Sequence, residues 1–372
     1  MRKLLASALA LVMIAAVCGY GFWTQQRPEG HYLSDLRIEL ALNHGVPGEH
    51  GNLLGVEPLL YPGDYQNLQR LHRKLAAYLE QARAQGLVNP RTVVVLPEHI
   101  GTWLWARGEK SELYQVTQSR EAQQWLELSN PLRYGLAVLG ADGDDWRADA
   151  HLRMKAEQMA ADYQQLFGGL AKEFGVTLVA GSIVLPEPYV KQGVLHTGRG
   201  PLFNSSVVFA GDGSLLGQPQ RQQYPDSEMR RYVHDGRQHP LQVVQTPAGR
   251  LGILVGSDSW YPENHQQLTE QAVQLIANPA FLSGKGSWQA PWRGNRHQDA
   301  SAGLALQRGE VSEQAAWQRL TEVAGTDISS MSVFMRGQFW EQGSDGQGFA
   351  RQSGALLAAP PSPGARLLNV WL

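Results

Sequence analysis

Leu251-Gly-Ile-Leu-Val-Gly-Ser-Asp-Ser-Trp-Tyr-Pro-Glu263 decides how this chain is read. Ile253 to Val255 is an aliphatic run of the kind that forms a short buried strand. It gives way to small residues, Gly256 and Ser257, and then to polar ones, as a strand entering a tight turn does. The stretch closes on Pro262-Glu263. It contains no cysteine, and Gly256 offers no side chain at all.

Working outward, strand and helix patterns alternate, which argues for an α/β fold. Leu36 to Leu42 alternates apolar and charged residues as a strand does, and Asp64 to Ala84 carries Leu68, Leu71, Leu75 and Leu79 at helical spacing. Asp64 is the expected N-cap. Thr92 to Leu96 reads as a buried strand ending at Pro97-Glu98. Residues 115–148 read as an irregular polar insertion with short helices of its own. A long helix is expected over Asp149–Phe174, then strands over Val176–Ala180 and Ser205–Ala210, with Gly211-Asp-Gly213 as a tight turn. Leu241–Thr246 and Leu251–Val255 should pair around Pro247-Ala-Gly249, and Gln266–Leu275 should be a helix.

The 372 residues carry a formal charge of −2, with no run of Lys or Arg, which excludes a general electrostatic nucleic-acid binder. Eleven Trp are expected mainly in the core, among them Trp288, Trp292, Trp317 and Trp340. At the N-terminus, Met1-Arg-Lys precedes an uncharged run from Leu4 to Trp23. About 20 residues at 1.5 Å each span roughly 30 Å, a bilayer's hydrocarbon core. The basic flank places the N-terminus in the cytoplasm and the rest on the exported side of the cytoplasmic membrane, as a single-pass protein. A cleaved signal sequence is the competing reading, although Ala8-Leu-Ala10 comes early for a cleavage site. Cys18 is the single cysteine, so no intrachain disulfide forms. Lipidation there is disfavoured by Val17 before it. Residues 1–24 are thus a membrane anchor or signal sequence, residues 25–35 a Pro- and Gly-bearing linker, and residues 36–372 a single domain.

Four segments, in order and spacing, resemble the nitrilase (carbon–nitrogen hydrolase) superfamily: the strand near Leu36, Val93-Val-Val-Leu-Pro-Glu98 after its helix, Asn204-Ser205 with Asp212-Gly213, and Gly252 to Glu263. The resemblance spans roughly residues 36 to 345. It implies a four-layer αββα sandwich, here preceded by one transmembrane helix, and a homodimer joined through a helix-bearing face. In that family a thiolate attacks an amide or nitrile carbon, a Glu moves protons and a Lys stabilises developing charge.

Matched to those roles, Glu98 is the general base, Arg221 stands at the lysine position counted from Asp212-Gly213, and Gly256 stands at the cysteine position. Asp258 and Glu228 match an acid of the turn and the family's second glutamate, as candidate binding residues. An ordinary loop Glu is an equal reading of Glu228, as a solvated loop Arg is of Arg221. Arginine keeps the charge of a lysine without its shape. Losing a hydrolase nucleophile costs on the order of 10⁶ in turnover in a well-studied case. Ser257 is the candidate substitute, one residue along. Glu98-His99 should point to opposite faces if the strand continues, which disfavours a shared metal. No His-Glu-x-x-His and no nucleotide signature is present, so no metal or cofactor is expected.

The expectation is therefore a membrane-anchored, exported, catalytically degenerate member that binds or interacts, with a small amide-like ligand in a pocket enlarged by the missing Cys side chain. Two alternatives stand beside it. One is an active amide-directed carbon–nitrogen hydrolase using Ser257 or another nucleophile. The other is an accessory domain in envelope acyl transfer, by analogy with apolipoprotein N-acyltransferase, which carries a nitrilase domain on a multi-helix base.

Overall fold

The computed structural model describes residues 2–294, 306–323 and 327–372. Among these, two sheets dominate. The first runs, in spatial order, through Ile38–His44, Ala365–Trp371, Asn52–Glu57, Thr92–Val95, Thr177–Val179, Leu202–Phe209 and Leu215–Arg221, with Ile183–Pro186 also pairing on Leu202–Phe209. The second runs Val243–Thr246, Gly249–Ile253, Leu275–Ala280, Ser329–Phe334, Phe349–Gln352, Ala355–Ala358.

Strand periodicity explains the layers. Leu53, Val93 and Val95 point into one core, where they meet Leu251, Ile253, Ala277, Met331 and Val333 of the second sheet. Their neighbours Leu54 and Val94 point the other way, onto Leu71, Leu75, Tyr163 and Phe167 of the helices Leu68–Ala84 and Trp146–Phe174. Both faces are covered, so these strands read as unbroken apolar runs. Beyond the second sheet, Leu268 of the helix Pro262–Glu270 covers Leu254 and Ile276. Helix, sheet, sheet and helix give the expected four-layer αββα sandwich. Trp288, Trp292, Trp317 and Trp340 are all buried, as core residues.

Several sequence expectations need correction. The helix expected from Asp64 begins at Leu68, with Asn67 as its N-cap, because the Asn67 carboxamide oxygen accepts from the Gln69 N–H. Asp64 instead sits fully buried in a short 3-10 turn, where Lys74 Nζ donates to its carboxylate at 2.9 Å. The helix expected over Gln266–Leu275 spans Pro262–Glu270; Ala272, at φ +52°, turns the chain so that Leu275 starts a strand. Leu36–Leu42 corresponds to the edge strand Ile38–His44, while the strand beside Thr92–Val95 is Asn52–Glu57.

The linker is not loose. Ser34 Oγ and Tyr32 Oη donate to Asp64 at 2.7 and 3.3 Å, and Tyr78 Oη donates to the Asp35 carbonyl. The apolar helix Arg2–Gln25 leads straight into it. Lys110 Nζ donates to the carbonyls of Trp23 and Gln26, both at 2.7 Å, and lies 4.0 Å from the Trp23 ring centroid. Arg27 forms an ion pair with the buried Glu109, which Lys155 also reaches at 2.7 Å.

Candidate functional site

The site lies where strands from both sheets end. Thr92–Val95 delivers Glu98, Leu202–Phe209 carries Asn204, and Leu215–Arg221 runs directly into Gln222. From the second sheet, Gly249–Ile253 runs into the short turn Gly256–Trp260, and Leu275–Ala280 carries Asn278. Parallel strands that end together place their following loops in one crevice, the usual location of ligand chemistry in α/β folds.

Glu98 is buried, with Asn204 Nδ2 donating to its Oε1 at 2.8 Å and Gln222 Nε2 to the same oxygen at 3.3 Å. Gln222 Nε2 also donates to the Val255 carbonyl at 3.1 Å, and its Oε1 accepts from Asn204 Nδ2 at 3.0 Å. Burial, first, and then the carboxylates of Asp226 and Asp258 push the Glu98 pKa well above the usual carboxylate range. The site thus has a neutral-leaning acid held by two carboxamides.

Gly256 is buried at φ +55°, a left-handed conformation that glycine adopts freely and other residues pay to enter. An added Cβ there would stand 2.7 and 2.8 Å from the Glu98 carboxyl oxygens and 2.9 Å from Gln222 Nε2. The expected enlarged cavity is therefore corrected: Glu98 and Gln222 close over the glycine. Asn278 Nδ2 holds the turn from behind, donating to the carbonyls of Leu254 and Gly256.

Arg221 does not converge with Glu98 and Gly256. Its guanidinium lies 4.1 Å from the Phe203 ring centroid, 2.6 Å from His239 Nε2, and donates to the Pro188 carbonyl. Gln222 takes the inward position. The pairing of Leu215–Arg221 with Leu202–Phe209 slips between Leu216 and Gln220, around Gly217 at φ +75°. Two extra residues enter the second strand there, since Leu216 pairs with Val208 and Gln220 with Ser206, and the side chain that meets Glu98 is Gln222, one past the position counted from Asp212-Gly213.

Ser257 is half-buried and its Oγ donates to the Tyr224 carbonyl at 2.7 Å, while Ser259 Oγ donates to the Gly256 carbonyl. Neither hydroxyl is directed at Glu98. Asp258 is fully buried and accepts the backbone N–H groups of Gln223 and Tyr224 at 2.8 to 2.9 Å. It ties the Gln222 segment to the Gly256 turn; burial raises its pKa to about 7 against those hydrogen bonds. Glu228 is exposed on a loop, its backbone N–H donating to Asp226. It does not line the site.

His99 does not continue the strand. At φ +63° it swings back so that Nε2 lies 3.9 Å from Glu98 Oε1, on the same side rather than the opposite one. Ser182 Oγ accepts its backbone N–H and Thr102 Oγ1 meets Nδ1 at 3.1 Å. Burial lowers its pKa to about 4, so the ring is neutral at neutral pH. Among the described residues no cluster of His, Cys, Asp and Glu is arranged to hold a metal.

Asn204 and Gln222 were missed as site residues. Asn204 is legible in retrospect as the one carboxamide in Leu202–Phe209, a strand that is buried throughout.

The family described as carbon-nitrogen hydrolase matches residues 61–303. Among solved structures, the carbon–nitrogen hydrolase from Helicobacter pylori G27 is similar at 18% identity and a TM-score of 0.53, over 87% of this chain and 89% of that one. A cysteine-to-serine variant of the nitrilase-superfamily amidase from Nesterenkonia AN1 is similar at 16% identity and a TM-score of 0.51, over 88% and 93%. At these identities the likeness is one of fold. No curated protein matches the chain.

Proposed function

The chain belongs to the carbon–nitrogen hydrolase family, and from that premise we propose that it is a non-catalytic member acting by binding, held to the membrane by Leu4–Trp23 with its domain exported. The observation that carries this reading is the closed triangle of Glu98, Asn204 and Gln222 over Gly256. Covalent amide hydrolysis needs a nucleophile beside an ionisable base and a fixed charge for the oxyanion. Here the first is a glycine, and the group that meets Glu98 in place of a cation is the Gln222 amide. The Gln222 carboxamide stands where an amide ligand would meet Glu98, so a small amide has to displace it. Recognition then falls to the domain's surface rather than to this buried site, and a homodimer face of the kind the family uses is one such surface.

The test is hydrolysis of a panel of simple aliphatic amides by the full chain in detergent micelles. No turnover is expected. Turnover of roughly 1 s⁻¹ or more, lost in Glu98→Gln, overturns the proposal, and loss in Ser257→Ala would identify the hydroxyl as nucleophile. Retention of the anchor is checked by N-terminal sequencing of the mature protein: a start beyond Trp23 overturns it, as does one at Cys18.

A further inference from the structure

The insertion that the sequence marks as irregular, residues 115–148, contains the helices Ser119–Ser129 and Pro131–Val138. Leu132, Leu136 and Leu139 fall at helical spacing on one side of the second helix and its cap, and are 83%, 71% and 83% exposed. Leu128 and Trp146 flank them, each about half exposed. Scattered exposed leucines are ordinary, whereas a run of them on one helix face marks an interaction surface.

The position of this face says what covers it. Tyr20 Oη, near the end of the apolar N-terminal helix, donates to the Leu128 carbonyl at 2.5 Å. The Trp23 and Trp125 rings lie 6.4 Å apart. Arg27 Nη2 donates to the Ser129 carbonyl and to Asn130 Oδ1, at 3.0 and 2.9 Å. Pro131 follows at once, so the leucine face begins where the apolar helix meets the domain. Tyr and Trp at the end of a span sit at the headgroup level. A surface joined to them by hydrogen bonds shares that level.

We propose that the helix Pro131–Val138 is a second membrane contact, lying along the bilayer interface with Leu132, Leu136 and Leu139 in the acyl boundary. This rests on the reading of Leu4–Trp23 as a retained anchor. A phospholipid surface fits the chemistry: an apolar face for the acyl chains, and the exposed Arg133 beside it, whose stem reaches up to a lipid phosphate. The exposed carboxylates of Asp142 and Asp144 lie beyond the helix's C-terminal end, outside the leucine face. The contact fixes the domain's orientation, since one span alone leaves it free to tilt.

The test uses the full chain in phosphatidylcholine–phosphatidylglycerol proteoliposomes, with Cys18→Ser as background and single cysteines placed by Leu132→Cys, Leu136→Cys, Leu139→Cys, Ile14→Cys and Gln267→Cys. Each carries an environment-sensitive fluorophore. Gln267 is exposed on the helix Pro262–Glu270, remote in sequence and layer, and serves as the aqueous reference. Probes at the three leucine positions should be quenched several-fold more than the Gln267 probe by acyl-chain spin labels, and shielded from iodide. If they behave like the Gln267 probe while the Ile14 probe is lipid-quenched, the anchor stands and the second contact is overturned. If the Ile14 probe is also aqueous, the anchor reading fails and takes this inference with it.

Discussion

Gln222 joins Glu98, at the end of the same sheet, to the second sheet, its Nε2 3.3 Å from Glu98 Oε1 and 3.1 Å from the Val255 carbonyl. A neutral amide thus occupies the contact that a fixed cation would need in order to hold Glu98 ionised. Gln222→Lys should therefore lower the midpoint at which the Glu98 carboxyl loses its proton, because an opposite charge within about 4–6 Å favours the ionised form. Arg221→Ala should leave that midpoint unchanged, since the guanidinium faces Phe203 and His239. Difference infrared titration against Glu98→Gln reads it. Equal midpoints in wild type and Gln222→Lys would show that the two side chains do not meet.

At Gly256 a side chain meets two costs. Its φ of +55° strains any L residue, and the Cβ arrives within 3 Å of Glu98 and Gln222. Backbone strain of this kind costs about 1–3 kcal/mol, so Gly256→Ala and Gly256→Cys should both lower the unfolding free energy by at least that much. Adding Gln222→Ala to Gly256→Cys should recover the part of the crowding due to Gln222 and leave the parts due to Glu98 and to φ. Chemical denaturation in detergent measures both, and an undiminished stability in Gly256→Cys would be incompatible with this turn.

Local signals were legible and non-local ones were not. The run Thr92 to Glu98 and the turn after Val255 announced themselves, because each depends on a strand and the residues that end it. The strand Ala365–Trp371 did not, although it is inserted between Ile38–His44 and Asn52–Glu57; its partners lie some three hundred residues away in the chain. Gln222 was hidden because which of two adjacent side chains, Arg221 or Gln222, faces Glu98 is settled by tertiary packing, which no count along the sequence registers. Residues 25–35 read as a linker by composition, yet Asp64, Lys110 and Glu109 hold its two ends. A buried acid three or more turns away in sequence is invisible to local pattern.

Asp258 gives a pH test. Its folded pKa is about 7 against an ordinary 3.8, so the folded state holds the proton more tightly than the unfolded one. The stability it contributes is complete below about pH 4 and is lost as pH climbs to about 7, on the order of 2–4 kcal/mol in all. His99 works the other way: lowered to about 4 from 6.5, it adds stability as pH rises through the same window. Subtracting the unfolding free energies of Asp258→Asn from those of wild type at each pH cancels His99 and leaves Asp258 with its coupling to Glu98. The difference should fall steadily from pH 4.5 to 7, and a flat difference would show that Asp258 is ionised throughout.

Glu109 should govern how firmly the apolar N-terminal helix is joined to the domain. Its side chain is fully buried between Arg27, at the end of the apolar helix, and Lys155, from the long helix Trp146–Phe174. Asn130 Nδ2 and Ser129 Oγ add hydrogen bonds at 3.0 and 3.2 Å. Removing one partner of a buried ion pair leaves the other uncompensated, at a cost of about 3–5 kcal/mol. Glu109→Gln leaves the Lys155 ammonium in that position, where burial already pulls its pKa down. Arg27→Ala strips a partly exposed partner and leaves Lys155 to neutralise Glu109, so its cost should be smaller. In the full chain in detergent, Glu109→Gln should lower the unfolding free energy by several kcal/mol and open residues 25–35 to protease while the domain stays folded. Arg27→Ala should open the same segment with less loss of global stability. Equal protection of that segment in wild type and Glu109→Gln would mean that the ion pair does not hold the apolar helix to the domain.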